Sequence, residues 1–224
     1  MVEYKQFGQI VTGEPFLQLI TYMRSESADP SLLTGIYVDE DGNDYRETSP
    51  PAINKCVDFN AHLVRMILHY LVGEHVYGEA DLKNHAHLEQ EPSTTYIKFF
   101  YFTFCALNFF AIAAKTGRKR APGARTFVNI IKSYGKANGP DIIDMINLLK
   151  AEKAALDNRK VDKAKDLYNK AILGFAEGKF YLMEAIAYER LLCSLLCPAL
   201  KRMEQLLKSI SYARPIPASL RLSR

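Results

Sequence analysis

The sequence predicts an all-α protein of stacked antiparallel helical hairpins, an α-solenoid preceded by an irregular N-terminal segment. From Pro51 onward, apolar residues recur at intervals of three, four and seven, as they do on one face of a helix. Gly and Pro residues separate the segments that carry this pattern, at places where helices are expected to end and begin. The sequence contains no credible set of alternating strands, which excludes a sheet-based architecture.

Three parts are expected along the chain. Residues 1–50 form an irregular segment that includes an acidic loop with the run DEDGND. That loop does not match a calcium-binding EF-hand, because Asp44 stands where the pattern requires Gly and Pro50 where it requires Glu. Residues 51–212 are predicted to form the helical-repeat domain, and residues 213–224 a basic disordered tail.

Two helices are predicted directly after the N-terminal segment. Pro51 suits a first helical turn, and Gly73 ends the apolar pattern. Between them lie the apolar positions of one helix face: Ile53, Val57, Val64, Ile67, Leu68 and Leu71. A shorter and more polar helix is expected from Tyr77 to about Glu89.

A Phe-rich segment from Phe99 to Ala114 carries no charged residue over 16 positions. A helix that spans a membrane needs about 20 apolar residues, so we expect this segment to be too short to cross one. A helix buried between its neighbours is the better interpretation. Another helix is predicted from the apolar residues between Phe127 and Tyr134, ending at Gly135.

The clearest hairpin begins at Pro140. One helix is predicted from there to a polar turn at 157–160, and a second as far as Gly178. A third helix is indicated by apolar residues at helical spacing, Met183, Ala187, Leu191 and Leu195. A last helix to about Tyr212, either a cap of the stack or a docking helix for a partner, is indicated by Leu200, Met203, Leu206, Leu207 and Ile210.

Composition and charge indicate an intracellular protein. The chain has 224 residues, enough for one large or two small domains, and a net charge of +4. Six basic residues and one acidic residue fall in the last 24 positions, so the remainder is nearly neutral. Four Cys residues without a CxxC pair are typical of reduced thiols, and the first 20 residues lack the apolar core of a secretory signal. We expect a cytoplasmic protein, with the nucleus as the alternative.

The stretch ALDNRKVDKAKDLYNKAI resembles the turn and second helix of the tetratricopeptide repeat. The matching residues are Asp162, Lys163, Ala164, Tyr168 and Ala171. The resemblance implies that Ala164 and Ala171 allow the helices to approach closely, while Tyr168 fills the space beside them. Two positions depart from the pattern, because Glu152 lies where a small residue is usual and Ala176 where Pro is common.

A broader resemblance covers about residues 53–197. A long apolar helix, a basic loop and the segments LLKAEKAAL, KAKDLYNKAI and FYLMEAIAYERLL follow in the same order as in the helical scaffold of large multidomain ATPase/kinase signalling proteins. In those proteins the region joins domains and has no active site of its own. The chain contains no P-loop and no HRD or DFG triplet, so we expect no such chemistry from it.

These resemblances imply a non-enzymatic protein-protein interaction scaffold that belongs to a signalling assembly. Stacked hairpins hold a peptide or helix of a partner in their concave face. We expect polar residues of a first helix, Asn147, Lys150 and Lys153, to contact that partner. This expectation requires Leu148, Leu149 and Ala151 to face inward. Repeat arrays with an exposed terminal helix often associate with one another, so a homodimer is a second expected assembly.

A group of basic residues supports an alternative function, binding to nucleic acid or to another anionic surface. This basic cluster comprises Lys115, Arg118, Lys119, Arg120 and Arg125, in a predicted loop over 115–125, and the basic C-terminal tail adds to it. No aromatic residues interleave these charges as stacking platforms, and the nearly neutral body argues against nucleic acid. A third alternative is a small all-α enzyme whose site forms only in the folded chain.

No catalytic residue, cofactor site or metal site is predicted. Five His residues lie close together in sequence, but their spacing matches no metal motif, and surface or capping roles are expected for His62, His69, His75, His85 and His87. Cys193 and Cys197 lie four positions apart, on one face of a helix. We expect buried thiols there rather than a nucleophile.

Overall fold

The computed structural model describes residues 51–77, 95–135 and 140–196, together with Phe16, Leu19 and Ile20. The predictions for the N-terminal segment and its acidic loop, for the polar helix beyond its first residue, Tyr77, and for residues 197–224 lie outside this part of the chain.

Helices joined by turns make up the described part of the chain, which contains no strand and confirms the all-α fold class. They are α1 (Pro51–Leu71), α2 (Thr95–Lys115), α3 (Pro122–Gly135), α4 (Pro140–Ala155), α5 (Val161–Glu177) and α6 over 181–196, and residues 75–77 are helical as well. A short 3-10 helix, Asn158–Lys160, joins α4 to α5 at the predicted polar turn. The Asp157 carboxylate accepts a hydrogen bond of 3.2 Å from the backbone N–H of Arg159 and so starts this turn.

α4 and α5 form an antiparallel hairpin. Near the turn, Tyr168 of α5 donates a hydrogen bond to Glu152 of α4. At the far end of the hairpin, Gly174 lies against Asp144, and a Cβ atom at Gly174 would overlap with the Asp144 carboxyl group. The two backbones approach closely there because Gly has no side chain.

α2 and α3 also run in opposite directions. Phe109, late in α2, covers Gly123 at the start of α3. Phe102, earlier in α2, stacks on Phe127 of α3 with ring centroids 6.0 Å apart. The turn between the two helices spans only residues 116–121, which is typical of antiparallel neighbours.

α1 and α2 lie side by side in the same direction, so the hairpin arrangement does not extend to this pair. Phe59 of α1 packs against Tyr101 of α2, with ring centroids 5.2 Å apart. Seven residues further along each helix, the Asn108 side chain donates a hydrogen bond of 3.3 Å to the Met66 carbonyl. Residues 72–94 are long enough to return the chain to its starting end, since 21 helical residues span only about 30 Å.

α2 is an apolar helix that packs against α1, α3 and α4. By length and composition, the 19 residues Ile97–Lys115 are sufficient to cross a membrane, so the expectation that this segment is too short does not hold. However, 67% of that window is buried inside the fold, as expected of a core helix. Its polar Thr103 is satisfied locally, because the hydroxyl donates a hydrogen bond of 2.7 Å to the Phe99 carbonyl.

α6 joins the common core through one face. Met183, Ile186 and Ala187 are buried in the same cluster as residues of α4 and α5. Just before α6, Phe180 lies 6.2 Å from Phe100 of α2, measured between ring centroids. Of the apolar residues that predicted this helix, Met183 and Ala187 are buried, whereas Leu195, two turns beyond Ala187, is exposed.

Three helices end in the same backbone motif, in which the residue after the cap is left-handed. After α1 that residue is Gly73, with φ of +78°, and after α2 it is Gly117, with φ of +66°. α5 ends at Gly178 as predicted, but the left-handed residue is Lys179, with φ of +58°. Gly178 is required for packing instead, because a Cβ atom there would lie only 2.8 Å from the Phe180 ring.

Candidate functional site

One narrow strip of α4 faces solvent, and we name it the α4 strip: Ile143, Asn147, Lys150 and Lys153. Most other described side chains of the helix are buried, because it packs against α2, α3 and α5, and only Asp144, Ile146 and Ala155 among them are half-buried. Within the strip, Asn147 is half-buried and the other three residues are exposed. Leu148, Leu149 and Ala151 are fully buried, so the condition attached to the sequence prediction holds. The binding role of the strip stays a prediction.

The α4 strip combines an apolar side chain with two cations. Ile143, Asn147 and Lys150 are spaced four and three residues apart, so they follow one line along the helix surface, and Lys153 continues it. Among the described residues, neither Lys150 nor Lys153 has an acidic partner within ion-pair distance. The strip therefore offers a hydrophobic contact and two ammonium groups to a partner.

A buried polar network lies on the inner side of α4. Its centre is Glu152, which is only 2% exposed. Arg190 of α6 donates from Nε to Oε1 at 2.8 Å and from Nη2 to Oε2 at 2.9 Å. Tyr168 of α5 donates its hydroxyl proton to Oε1 at 2.7 Å. The carboxylate therefore joins three helices, and both of its oxygens accept hydrogen bonds.

The pKa values of Arg190, of Tyr168 and of the nearby Tyr70 are all raised. The Glu152 carboxylate raises the pKa of the Arg190 guanidinium further above its usual range. Burial, and then the charge of Glu152, raise the pKa values of Tyr168 and Tyr70 well above the ordinary value of 10.0. The cation therefore stays charged and both phenols stay neutral at physiological pH. This behaviour suits a structural connection between helices rather than a site of proton transfer.

Sequence reasoning identified Glu152 only as a departure from the repeat pattern and missed its role. A local signal existed, because Glu152 continues a line through Met145 and Leu149, both fully buried. A carboxylate on a buried line requires a compensating cation or hydrogen-bond donors. Its partner Arg190 lies 38 residues away, and only the packing of α6 against α4 brings the two together.

His62 corrects the expectation of surface or capping His residues. It is fully buried, and its Nε2 lies 3.3 Å from the Tyr101 hydroxyl oxygen. Its side chain faces the core because it lies on the side of α1 that packs against α2. Among the described residues, no group of three His, Cys, Asp or Glu side chains is placed to hold a metal ion. His85 and His87 lie outside the described residues.

His75 belongs to a second polar connection, made to the apolar helix α2. Its Nδ1 donates a hydrogen bond of 3.2 Å to the side-chain amide oxygen, Oδ1, of Asn108. The Asn108 amide in turn donates to the backbone carbonyls of Met66 and Phe104, at 3.3 and 3.1 Å. Burial lowers the pKa of His75. Asn108 is thus a satisfied core residue that ties the end of α1 to α2.

The Cys residues differ in burial. Cys105 is buried in α2 and Cys56 is half-buried in α1, where burial raises the pKa of the thiol. Cys193 is exposed, so the predicted burial is wrong for this residue. It lies beyond Ala187, the last fully buried residue of α6 in the described part. Cys197 lies outside the described residues.

The basic cluster lies at the turn between α2 and α3, and all five of its side chains are exposed. The predicted loop over 115–125 is shorter than expected, because Lys115 ends α2 and α3 begins at Pro122. Arg125 therefore lies in the first turn of α3 rather than in a loop. Pro is favoured in that first turn, since its fixed φ suits a helix and its missing N–H needs no partner there.

No protein-family model, curated protein or solved structure matches the chain.

Proposed function

We propose that the chain is a non-enzymatic protein-protein interaction scaffold of tetratricopeptide-like hairpins, working within a larger signalling assembly. The α4 strip carries this proposal, because it offers a surface of mixed chemistry on a helix that is otherwise mostly buried. The α4–α5 hairpin supports it, since Ala164, Tyr168 and Ala171 are buried along α5 as the repeat pattern requires.

The partner that fits this strip is a peptide or helix with carboxylates beside an apolar side chain. Ile143 supplies the hydrophobic contact, and Lys150 and Lys153 attract the carboxylates. The half-buried Asn147 lies between these groups and offers an amide to the partner backbone. In the scaffold the strip is part of the concave face.

The test replaces the polar groups of the strip and compares partner capture with a matched control. The strip variant is Asn147→Ala/Lys150→Ala/Lys153→Ala in the full chain. The control variant is Asn169→Ala/Lys165→Ala/Lys170→Ala, which removes the same chemical groups from exposed positions of α5. Each bait is used in affinity capture from native lysate at low and high salt, after circular dichroism has verified its helicity.

A protein retained by the unchanged chain and by the control, but lost from the strip variant, supports the proposal. Equal retention by all three baits overturns it. Because ion pairs at a binding rim weaken with salt while apolar contacts do not, we expect retention to decrease only partly at high salt.

The basic cluster carries a second candidate function, binding to a nucleic acid. All five of its side chains are exposed, and no described acidic residue pairs with them. A nucleic acid that neutralises several cations binds with a steep salt dependence. The nearly neutral remainder of the chain makes this the weaker candidate.

The measurement for this second candidate is fluorescence anisotropy of a labelled single-stranded RNA over a series of salt concentrations. The variant Arg118→Glu/Lys119→Glu/Arg120→Glu is expected to abolish binding. The control Lys163→Glu/Lys165→Glu/Lys170→Glu reverses three exposed charges on α5 and is expected to weaken binding much less. A flat salt response, or equal losses in both variants, excludes a site at the basic cluster.

A further inference from the structure

The outer face of α6 carries a row of exposed apolar side chains, which we name the α6 stripe: Tyr181, Tyr188, Leu192, Leu195 and Leu196. Tyr181 is 70% exposed and Leu192 is 55% exposed. The opposite face of the same helix is buried in the core through Met183 and Ile186. Soluble proteins seldom leave such a row uncovered, so the α6 stripe is expected to have an occupant.

Charge around the stripe restricts the chemistry of that occupant. Glu184 and Glu189 lie on the two sides of the stripe. The only basic residue within 181–196 is Arg190, and its guanidinium is turned inward to Glu152. The stripe is therefore an apolar surface with acidic edges, which fits an amphipathic helix with basic residues.

The chain itself supplies such a segment directly after α6. Residues 199–212 contain three basic residues and one acidic residue. The segment's large aliphatic residues, counted forward from Pro198, fall at 2, 5, 8, 9 and 12, namely Leu200, Met203, Leu206, Leu207 and Ile210. Counted backward from Pro198, the stripe residues Leu196, Leu195, Leu192 and Tyr188 fall at 2, 3, 6 and 10, and the exposed Ala185 falls at 13.

This near-mirror spacing is the pattern of two helices that meet face to face around a turn. In an antiparallel pair, residues equally distant from the turn lie opposite each other. Leu192 would then meet Met203, and Tyr188 would meet Leu207. Pro198 suits the turn because it cannot continue the hydrogen bonds of α6.

We propose that residues 199–212 of the same chain fold back about Pro198 and cover the α6 stripe as an antiparallel helix. The segment is tethered one residue beyond the turn, so its effective concentration reaches the millimolar range, about what short linkers provide. A second copy of the chain is the less suitable occupant, because two stripes placed together would bring Glu184 and Glu189 of both copies close to each other. The proposal concerns a surface distinct from the α4 strip.

The test is hydrogen exchange of the full chain, followed by mass spectrometry of peptides from residues 199–212. In the unchanged protein, the amides of this segment are expected to exchange at least about tenfold more slowly than in an unstructured peptide. Leu192→Glu places a charge in the stripe and is expected to remove this protection. Leu207→Glu places the same charge on the segment and is expected to have the same effect. The control is Leu173→Glu, at an exposed position of α5.

The proposal is supported if protection is present, is lost in both variants, persists in the control and does not depend on protein concentration. Unprotected amides in the unchanged chain overturn it, and so does protection that survives both variants. Protection that increases with concentration, together with a dimer in sedimentation, shows that a second copy covers the stripe and also overturns it.

Discussion

Arg190 and Glu152 form a bidentate ion pair that attaches α6 to the α4–α5 hairpin, with N–O distances of 2.8 and 2.9 Å. The carboxylate is buried, and the guanidinium side chain is 20% exposed. Tyr168 provides the third hydrogen bond to the same carboxylate. A buried charge with all of these partners is tolerated, but the same charge without them is costly. The stability of this helical core therefore depends strongly on the network.

Loss of the cation alone is expected to destabilise the protein strongly. Arg190→Met leaves the Glu152 carboxylate buried without its counter-ion, and we expect it to lower the free energy of unfolding by about 3–5 kcal/mol. Glu152→Ala combined with Arg190→Met removes both charges and is expected to recover most of that loss. Urea unfolding followed by circular dichroism measures both. A single variant that costs less than about 1 kcal/mol would contradict the importance of the pair.

The phenol hydroxyl of Tyr168 is expected to contribute through its hydrogen bond to a charged group. Tyr168→Phe removes only that hydroxyl, and we expect it to lower the free energy of unfolding by about 1.5–3 kcal/mol. Tyr77→Phe serves as the matched control, because Tyr77 is exposed and lies outside the α6 stripe, and it is expected to change stability by no more than about 0.5 kcal/mol. Equal effects of the two variants in urea unfolding would exclude this role.

Tyr70 is expected to respond in the opposite way. Its buried hydroxyl has no hydrogen-bond partner among the described residues, so Tyr70→Phe is expected to raise stability at pH 7 by about 1 kcal/mol.

Burial raises the pKa of Tyr70 above that of the unfolded chain. Below about pH 10 the phenol is neutral in both the folded and the unfolded chain, so its ionisation does not change stability. Above that pH the phenol of the unfolded chain ionises first, which favours unfolding. The variant is therefore expected to lose less stability than the unchanged chain between pH 9 and pH 11, about the range over which a free phenol titrates. Parallel stability curves for the two proteins would refute this interpretation.

Lys179 is a position where Gly is expected to be better than the natural residue. The turn after α5 is closed by a hydrogen bond of 2.8 Å from the Phe180 amide to the Phe175 carbonyl, and it requires Lys179 to be left-handed. A side chain costs about 1 kcal/mol in that conformation, so Lys179→Gly is expected to raise the free energy of unfolding by about this amount. Lys179→Ala keeps the Cβ atom and is the control, which we expect to show no gain. The prediction fails if both variants change stability equally.

Gly174 is expected to be required by close packing rather than by backbone conformation. In an open helix, Gly→Ala stabilises by about 0.5–1 kcal/mol. Here the added Cβ atom overlaps with the Asp144 carboxyl group, so Gly174→Ala is expected to destabilise the protein instead. In an Asp144→Ala background the same substitution is expected to become stabilising. A double-mutant cycle from thermal or urea unfolding tests this change of sign.

Much of the secondary structure was predictable from residues near each boundary. The predicted starts at Pro51 and Pro140 and the predicted end at Gly178 agree with α1, α4 and α5. Of the candidate functional residues, the exposure of Lys150 and Lys153 follows from the inward direction of Leu148 and its neighbours. The buried network was not predictable, because its three members come from three helices whose rotations depend on one another.

Local interactions along the chain were therefore sufficient to determine that the described part of the protein is all-α, where several of its helices begin or end, and which side of each is apolar. Helical periodicity and the effects of Pro and Gly act over about four residues, so they can be read without a fold. The direction of α1 relative to α2, the burial of His62 and the pairing of Arg190 with Glu152 were decided only by tertiary packing. These features depend on residues tens of positions apart, whose contacts form only when the helices settle into one shared core.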